Sequence, residues 1–239
     1  MKHDVNKINK DTLSNAFFTA NFFRRVITAL LLGGLTLWIL ISESPYIGFF
    51  ISLIAFIILI EWGRVVFKSD KPHKTRMIWL LMGSAYLMLG TFGFYQLYEY
   101  SALLGISLLL LIWSTDIGAY FAGKIIGGPK LAPSISPGKT WSGAIGGTLS
   151  ASTTALIMSA YLYDGFNWPM VTFLILCSIL GQIGDLLESR VKRYFKVKDS
   201  GVILPGHGGL IDRLDSLLFV GIFLFIFYAI TGFATIFNL

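Results

Sequence analysis

The stretch Ala102–Ala122 reads ALLGISLLLLIWSTDIGAYFA, an apolar run broken near its far end by one acid, Asp116. A hydrocarbon core of about 30 Å takes roughly 20 such residues as a helix. Six further runs approach that length, at about Val26–Ser42, Pro45–Trp62, Met77–Leu97, Trp141–Tyr163, Met170–Leu187 and Leu214–Phe237. The pattern predicts an all-α, polytopic integral membrane protein with about seven transmembrane helices. Composition agrees: 55% apolar residues, 13% charged residues and a mean hydropathy of +0.72 describe no soluble domain.

Charge placement orients the bundle. Counted between the runs, all 19 Lys and Arg residues fall on one side. They are Lys2, Lys7, Lys10, Arg24 and Arg25; Arg64, Lys68, Lys71, Lys74 and Arg76; Lys124, Lys130 and Lys139; and Arg190, Lys192, Arg193, Lys196, Lys198 and Arg213. The other connections, at 43–44, 98–100 and 164–167, hold none. Positive charge stays cytoplasmic, which predicts a cytoplasmic N-terminus and an outer C-terminus. The long polar loops then face the compartment that holds nucleotides.

A net charge of +6 spread over short loops beside apolar helices points to lipid headgroups and phosphate substrates, and not to nucleic acid. Cys177, the single cysteine, lies inside an apolar run and reads as a packing residue. Phe22-Phe23-Arg24-Arg25 resembles the start of a signal peptide, but no small-residue cleavage site follows, so it opens the first span. Residues 1–21 read as a polar N-terminal arm, and 22–239 as a single transmembrane domain. Its site-bearing half runs from about 101 to 216, where acids stand in or beside the helices; residues 26–100 read as ordinary lipid-facing helices.

Residues Gly184–Ser216 read GDLLESRVKRYFKVKDSGVILPGHGGLIDRLDS. Asp185 and Glu188 share a helix face, and Asp212 and Asp215 repeat the spacing at the start of the next helix. Two such pairs on adjacent helix ends can converge on a hard cation through oxygen ligands; Asp212 and Asp215 can equally cap a helix N-terminus. Asp185 has no capping excuse, because it stands near the end of its run, where negative charge opposes the macrodipole. Between the pairs lie Arg190, Lys192, Arg193, Lys196 and Lys198, which suit anionic lipid or phosphate, and then Pro205-Gly206-His207-Gly208-Gly209. Glycine amides there can form an anion-binding nest. His207 reads as a proton carrier, a phosphate donor or a structural hydrogen-bonding residue.

This stretch resembles the phosphatidate cytidylyltransferase (CDP-diacylglycerol synthase) family. The family signature is met by Ser189, Lys192, Arg193, Lys198, Asp199, Pro205, His207, Gly208, Gly209, Asp212, Arg213 and Asp215. The likeness continues upstream through Trp113–Tyr120, Ser136–Trp141 and Gly184–Ser189, and so covers about 100–216. Two departures stand out: Ser142 occupies a position that is often Glu or Gln, and the chain is shorter than the usual member, as if one or two N-terminal helices were missing.

The resemblance implies the reaction of CTP with phosphatidate to give CDP-diacylglycerol and pyrophosphate, with Mg²⁺ or another divalent cation as cofactor. It implies a multi-pass protein of the cell inner (cytoplasmic) membrane, and a homodimer. Asp185 and Asp212 are the expected metal ligands, with Asp215 and Asp116 beside them; His207 and Lys198 join Asp185 and Asp212 as catalytic candidates. Lys139, Thr140, Ser189, Lys192, Arg193, Asp199, Gly208, Gly209 and Arg213 are the expected substrate contacts.

Ser136-Pro137-Gly138-Lys139-Thr140 imitates a phosphate-binding P-loop, but Pro133 stands where the pattern needs its first glycine, and no strand is expected before it. The segment reads instead as a loop beside a helix N-terminus, where Lys139 and Thr140 can touch phosphate. Asp116, about 10 Å inside its helix end at 1.5 Å per residue, is a functional candidate because an ionisable group at that depth is costly. Rival readings are a related enzyme acting on another lipid, a CDP-alcohol phosphotransferase, whose acidic pattern is absent, and an ion-coupled transporter, which the missing internal repeat disfavours.

Overall fold

The computed structural model describes residues 27, 30–42, 45–163, 165–201, 203 and 208–237. The polar arm and the start of the first run lie outside them. Helix α1 runs Leu30–Ile41, followed by α2 (Ile47–Phe67), α3 (His73–Tyr100) and α4 (Ala102–Ile125). A hairpin of β1 (Lys130–Ala132) and β2 (Ser136–Thr140) comes next, then α5 (Trp141–Tyr163), α6 (Trp168–Tyr194), α7 (Ile211–Thr231) and the short α8 (Ala234–Phe237). Among the described residues, α2, α3, α4, α6 and α7 are five helices long and apolar enough to cross a membrane. The protein is therefore a polytopic, essentially all-α membrane protein. The described part of helix α1 is shorter than a span, and α5, although 23 residues long, is less apolar.

The reason for α5 is visible in its buried face. Gly143, Gly147, Ala151, Ala155 and Ser159 recur every fourth residue and are all buried. Small residues at that spacing let neighbouring helices approach backbone to backbone, at the expense of hydropathy. Helix α3 meets α7 in the same way. A Cβ built on Gly93 would fall 1.8 Å from the Gly221 carbonyl oxygen, and one on Gly221 would fall 1.9 Å from that of Gly90.

Several boundaries differ from the expected ones, and three differences matter for the site and the core. Helix α6 continues through Glu188-Ser189-Arg190-Val191-Lys192-Arg193 to Tyr194, well beyond the apolar run that ends at Leu187. Hydropathy ends there, but Leu, Glu, Arg and Lys are good helix formers and the backbone ladder persists. Asp185 therefore lies inside α6 and not near its terminus, so the macrodipole argument for it falls away. Ser136–Thr140, expected as a loop, is strand β2, paired antiparallel with β1 in the register Lys130↔Thr140 and Ala132↔Ser136. The last run breaks at Gly232, after which α8 folds back so that Phe233 and Phe237 pack with Phe173 and Tyr100.

Two apolar clusters hold the bundle. The larger joins α3, α4, α6 and α7 around Leu97, Leu108, Leu174, Cys177 and Leu224, and Cys177 is a buried free thiol, as its setting suggested. The smaller gathers Ile58, Trp62, Val66, Leu87, Phe195, Ile211 and Leu218. Phe195 and Ile211 bracket the α6–α7 loop, and the Trp62 indole donates to the Trp79 carbonyl at 3.1 Å. This second cluster is the floor on which the polar loop rests.

Candidate active site

The 3.6-residue period places Asp185, Glu188, Ser189 and Lys192 along one face of α6. Gly184 opens that face to α7, since a Cβ there would lie 2.4 Å from Phe219 Cβ. Asp215 of α7 enters the gap, and carboxylate oxygens of Asp185, Glu188 and Asp215 lie within 4.8 Å of one another. Lys192 Nζ sits 2.8 Å from Glu188 Oε2 and 2.8 Å from Asp212 Oδ1. The hairpin closes the other side, with Lys139 Nζ of β2 at 2.5 Å from Asp185 Oδ2. Ser189 Oγ donates to Asp185 Oδ1 at 3.4 Å. Glu188 Oε1 is buried and has no hydrogen-bond partner among the described residues.

Asp212 takes a different part. Besides Lys192, its carboxylate accepts the amides of Ser200 (2.9 Å) and Gly209 (2.8 Å). Glu61 of α2, completely buried, accepts the amides of Leu210 at 2.8 Å and Ile211 at 3.0 Å, which are orphan donors at the start of α7. The amide of Gly209, within the turn expected to cradle phosphate, and those of Leu210 and Ile211 just after it thus point at the protein's own carboxylates. Gly208 has φ +88, in the left-handed region that favours glycine. A Cβ on Gly209 would fall 1.9 Å from Ser200 Oγ.

The remaining expected residues are spread around this core. Lys198 and Asp199 are exposed on the loop, with Asp199 Cβ 3.4 Å from where a Cβ on Gly208 would sit. Arg193 Nη1 donates to the Val197 carbonyl at 3.0 Å. Arg213 is exposed in the first turn of α7. Asp116 lines a narrow polar crevice with Thr115, Ser178, Gln182 and Ser216, within electrostatic reach of Asp185, Lys139 and Arg213. Thr140 is buried and caps α5, accepting the Gly143 amide at 3.1 Å and pairing with Ser142 Oγ at 3.0 Å. Ser142, given no role from sequence, also donates to the Gly127 carbonyl. His207 and Pro205 lie outside the described residues.

Two residues gain weight here. Glu188 was visible as one of a pair, but its place in the carboxylate trio was not. Glu61 went unassigned because it sits in a half of the chain that reads as lipid-facing. The one available signal was an acid inside an apolar run, the same signal that marked Asp116.

Fold and site together define a membrane-embedded protein whose charged site, built from α6, α7 and the hairpin, opens at one end of the helix bundle. The model of the cytidylyltransferase family matches residues 65–231, and the chain belongs to that family. A phosphatidate cytidylyltransferase of Brucella melitensis biotype 1 is 52% identical over 123 residues, covering 52% of this chain and 46% of the relative. One of Staphylococcus aureus (strain COL) is 38% identical over 188 residues, covering 76% of this chain and 72% of the relative. The chain thus spans about half the length of the Brucella relative, and more of the staphylococcal one.

Proposed function

We propose that the protein transfers a cytidylyl group from CTP to phosphatidate, yielding CDP-diacylglycerol and pyrophosphate at the cytoplasmic face of an inner membrane. The observation that carries this reading is the convergence of Asp185, Glu188 and Asp215 within 4.8 Å, beside Lys139 and Lys192, in the segment that bears the family's signature. In the reaction, an oxygen of the lipid phosphate bonds to the α-phosphorus of CTP. The bridging P–O bond to the β-phosphate breaks, and its electron pair leaves with pyrophosphate. The attacking oxygen is already anionic at neutral pH, so no strong base is required. The difficulty is bringing one anion onto another, which is a problem of positioning and charge.

The carboxylate trio fits a divalent cation such as Mg²⁺: it offers hard oxygen donors, and one of them, Glu188 Oε1, is buried without a partner among the described residues. A bound cation would supply positive charge where phosphate charge develops. Lys139 adds charge from the hairpin side, and the exposed Lys198, Arg193 and Arg213 offer it from the loop and from α7. Asp212 keeps the loop in place through Lys192 and two amides. The same reading has seven spans with the N-terminus cytoplasmic, on the strength of the one-sided Lys and Arg placement, and one catalytic domain over 22–239.

The test is a reconstitution. Purified protein in detergent, given CTP, phosphatidate and Mg²⁺, is expected to release pyrophosphate and form CDP-diacylglycerol in equal amounts, and chelation with EDTA is expected to stop both. Folded protein that leaves phosphatidate untouched but consumes CTP with another lipid phosphate or alcohol would move the chain to a different substrate.

A further inference from the structure

A buried acid on a lipid-crossing helix demands a reason, because desolvating it is costly. Glu61 has no ion-pair partner in the structure among the described residues; its partners belong to the α6–α7 loop and the first residue of α7, 139–150 positions away in sequence. The amides of Leu210 and Ile211 donate to it, and so does Ser200 Oγ, at 3.4 Å. A Ser, Asp or Asn at position 210 would accept from the amides of residues 212 and 213, so the amides of Leu210 and Ile211 need an acceptor from elsewhere. Position 210 is instead leucine, with no side-chain cap of its own. The loop is also shaped around the Glu61 carboxylate. A Cβ on Gly201 would lie 2.7 Å from Glu61 Oε1, and one on Gly209 would lie 2.9 Å from Oε2.

Ser200 connects this anchor to the site. Its hydroxyl donates to Glu61 and its amide to Asp212; Asp212 pairs with Lys192, and Lys192 with Glu188 of the carboxylate trio. We infer that Glu61 is a positioning residue: from α2 it sets the path of the α6–α7 loop, and through Ser200, Asp212 and Lys192 the placement of Glu188, for the reaction proposed above. The inference rests on that reading for its kinetic consequence and on geometry alone for its effect on the loop.

Two measurements on Glu61→Gln test it. Glutamine keeps the size but turns an NH₂ group toward amide donors. Amide hydrogen exchange followed by mass spectrometry should show the 199–211 segment exchanging about ten- to a hundredfold faster, the factor for losing one charge-assisted hydrogen bond. The spans of α4 and α6 should keep their protection. Per folded molecule, kcat should fall by about tenfold or more and KM for CTP should rise, with KM for phosphatidate unchanged. Glu61→Asp, which retains the carboxylate, should recover part of the loss. Should Glu61→Gln not yield folded protein, Gly201→Ala pushes on the same carboxylate from the loop side and is expected to give the same exchange and kinetic pattern. Unchanged loop exchange overturns the inference, and so do wild-type kinetics from the molecules that fold. A wild-type protein without cytidylyl transfer overturns the proposed reaction instead, while the exchange experiment still decides whether Glu61 holds the loop.

Discussion

Lys192 pairs with Glu188 and Asp212, Asp185 and Asp215 lie beside Glu188, and the structure divides the work of these four carboxylates. Asp185, Glu188 and Asp215 face one another, whereas Asp212 is already occupied by Lys192 and two loop amides. Neutralising each should therefore fail in a different way. Asp185→Asn and Asp215→Asn are expected to lower turnover by about a hundredfold or more, as loss of one strong electrostatic contact commonly does, while leaving the unfolding midpoint in detergent near the wild-type value. Asp212→Asn removes a carboxylate that is only 6% exposed and weakens several charge-assisted bonds at once. It should cost about 1–3 kcal/mol of stability, read as a lower midpoint. Near-normal turnover in folded Asp215→Asn protein would remove the trio from the chemistry, and an unshifted midpoint in Asp212→Asn would deny Asp212 its hold on the loop.

Helices α3 and α7 cross with their backbones in contact at Gly90, Gly93 and Gly221. A methyl group at Gly93 or Gly221 would meet a carbonyl oxygen, which cannot move aside as a flexible side chain would. Gly93→Ala and Gly221→Ala should each destabilise by about 1–3 kcal/mol, the usual penalty of overpacking. They should also reduce activity, because α7 carries Asp212 and Asp215. Gly63 of α2 is the control: a Cβ there would meet nothing within 4 Å. Gly63→Ala should be neutral or stabilise by up to about 1 kcal/mol through helix propensity. Thermal unfolding of the three variants in one detergent checks the order, and equal midpoints for Gly93→Ala and Gly63→Ala would contradict the tight crossing.

Across the whole molecule, the α6–α7 loop meets the end of α2 through Glu61, and the α4–α5 hairpin meets α6 through Lys139 and Asp185. These contacts draw both connections and the end of α2 to one end of the bundle, where the Lys and Arg residues of those segments also lie. Cytoplasmic placement of that end predicts the labelling pattern of an impermeant thiol reagent. In a Cys177→Ala background, Glu99→Cys and Phe166→Cys should label from outside intact cells, and Lys130→Cys only after permeabilisation. The opposite pattern would invert the topology.

Membrane residence, the charge-marked end and the signature segment were all legible in the sequence, because each depends on local composition or on spacing within a few helical turns. Asp185, Glu188, Asp212 and Asp215 could be named for the same reason. What each carboxylate touches could not, since that depends on how far α6 continues past its apolar run, how α7 is rotated, and how closely glycines let the helices approach. Extended helix α6 put Asp185 mid-helix and Lys192 between two acids. Strand β2 carried Lys139 to Asp185. Glu61 lay furthest from reach, because its meaning rests on backbone amides about 150 residues away. A buried charge is tolerated only where the tertiary fold brings donors to it, and no local pattern of residues encodes where those donors will be.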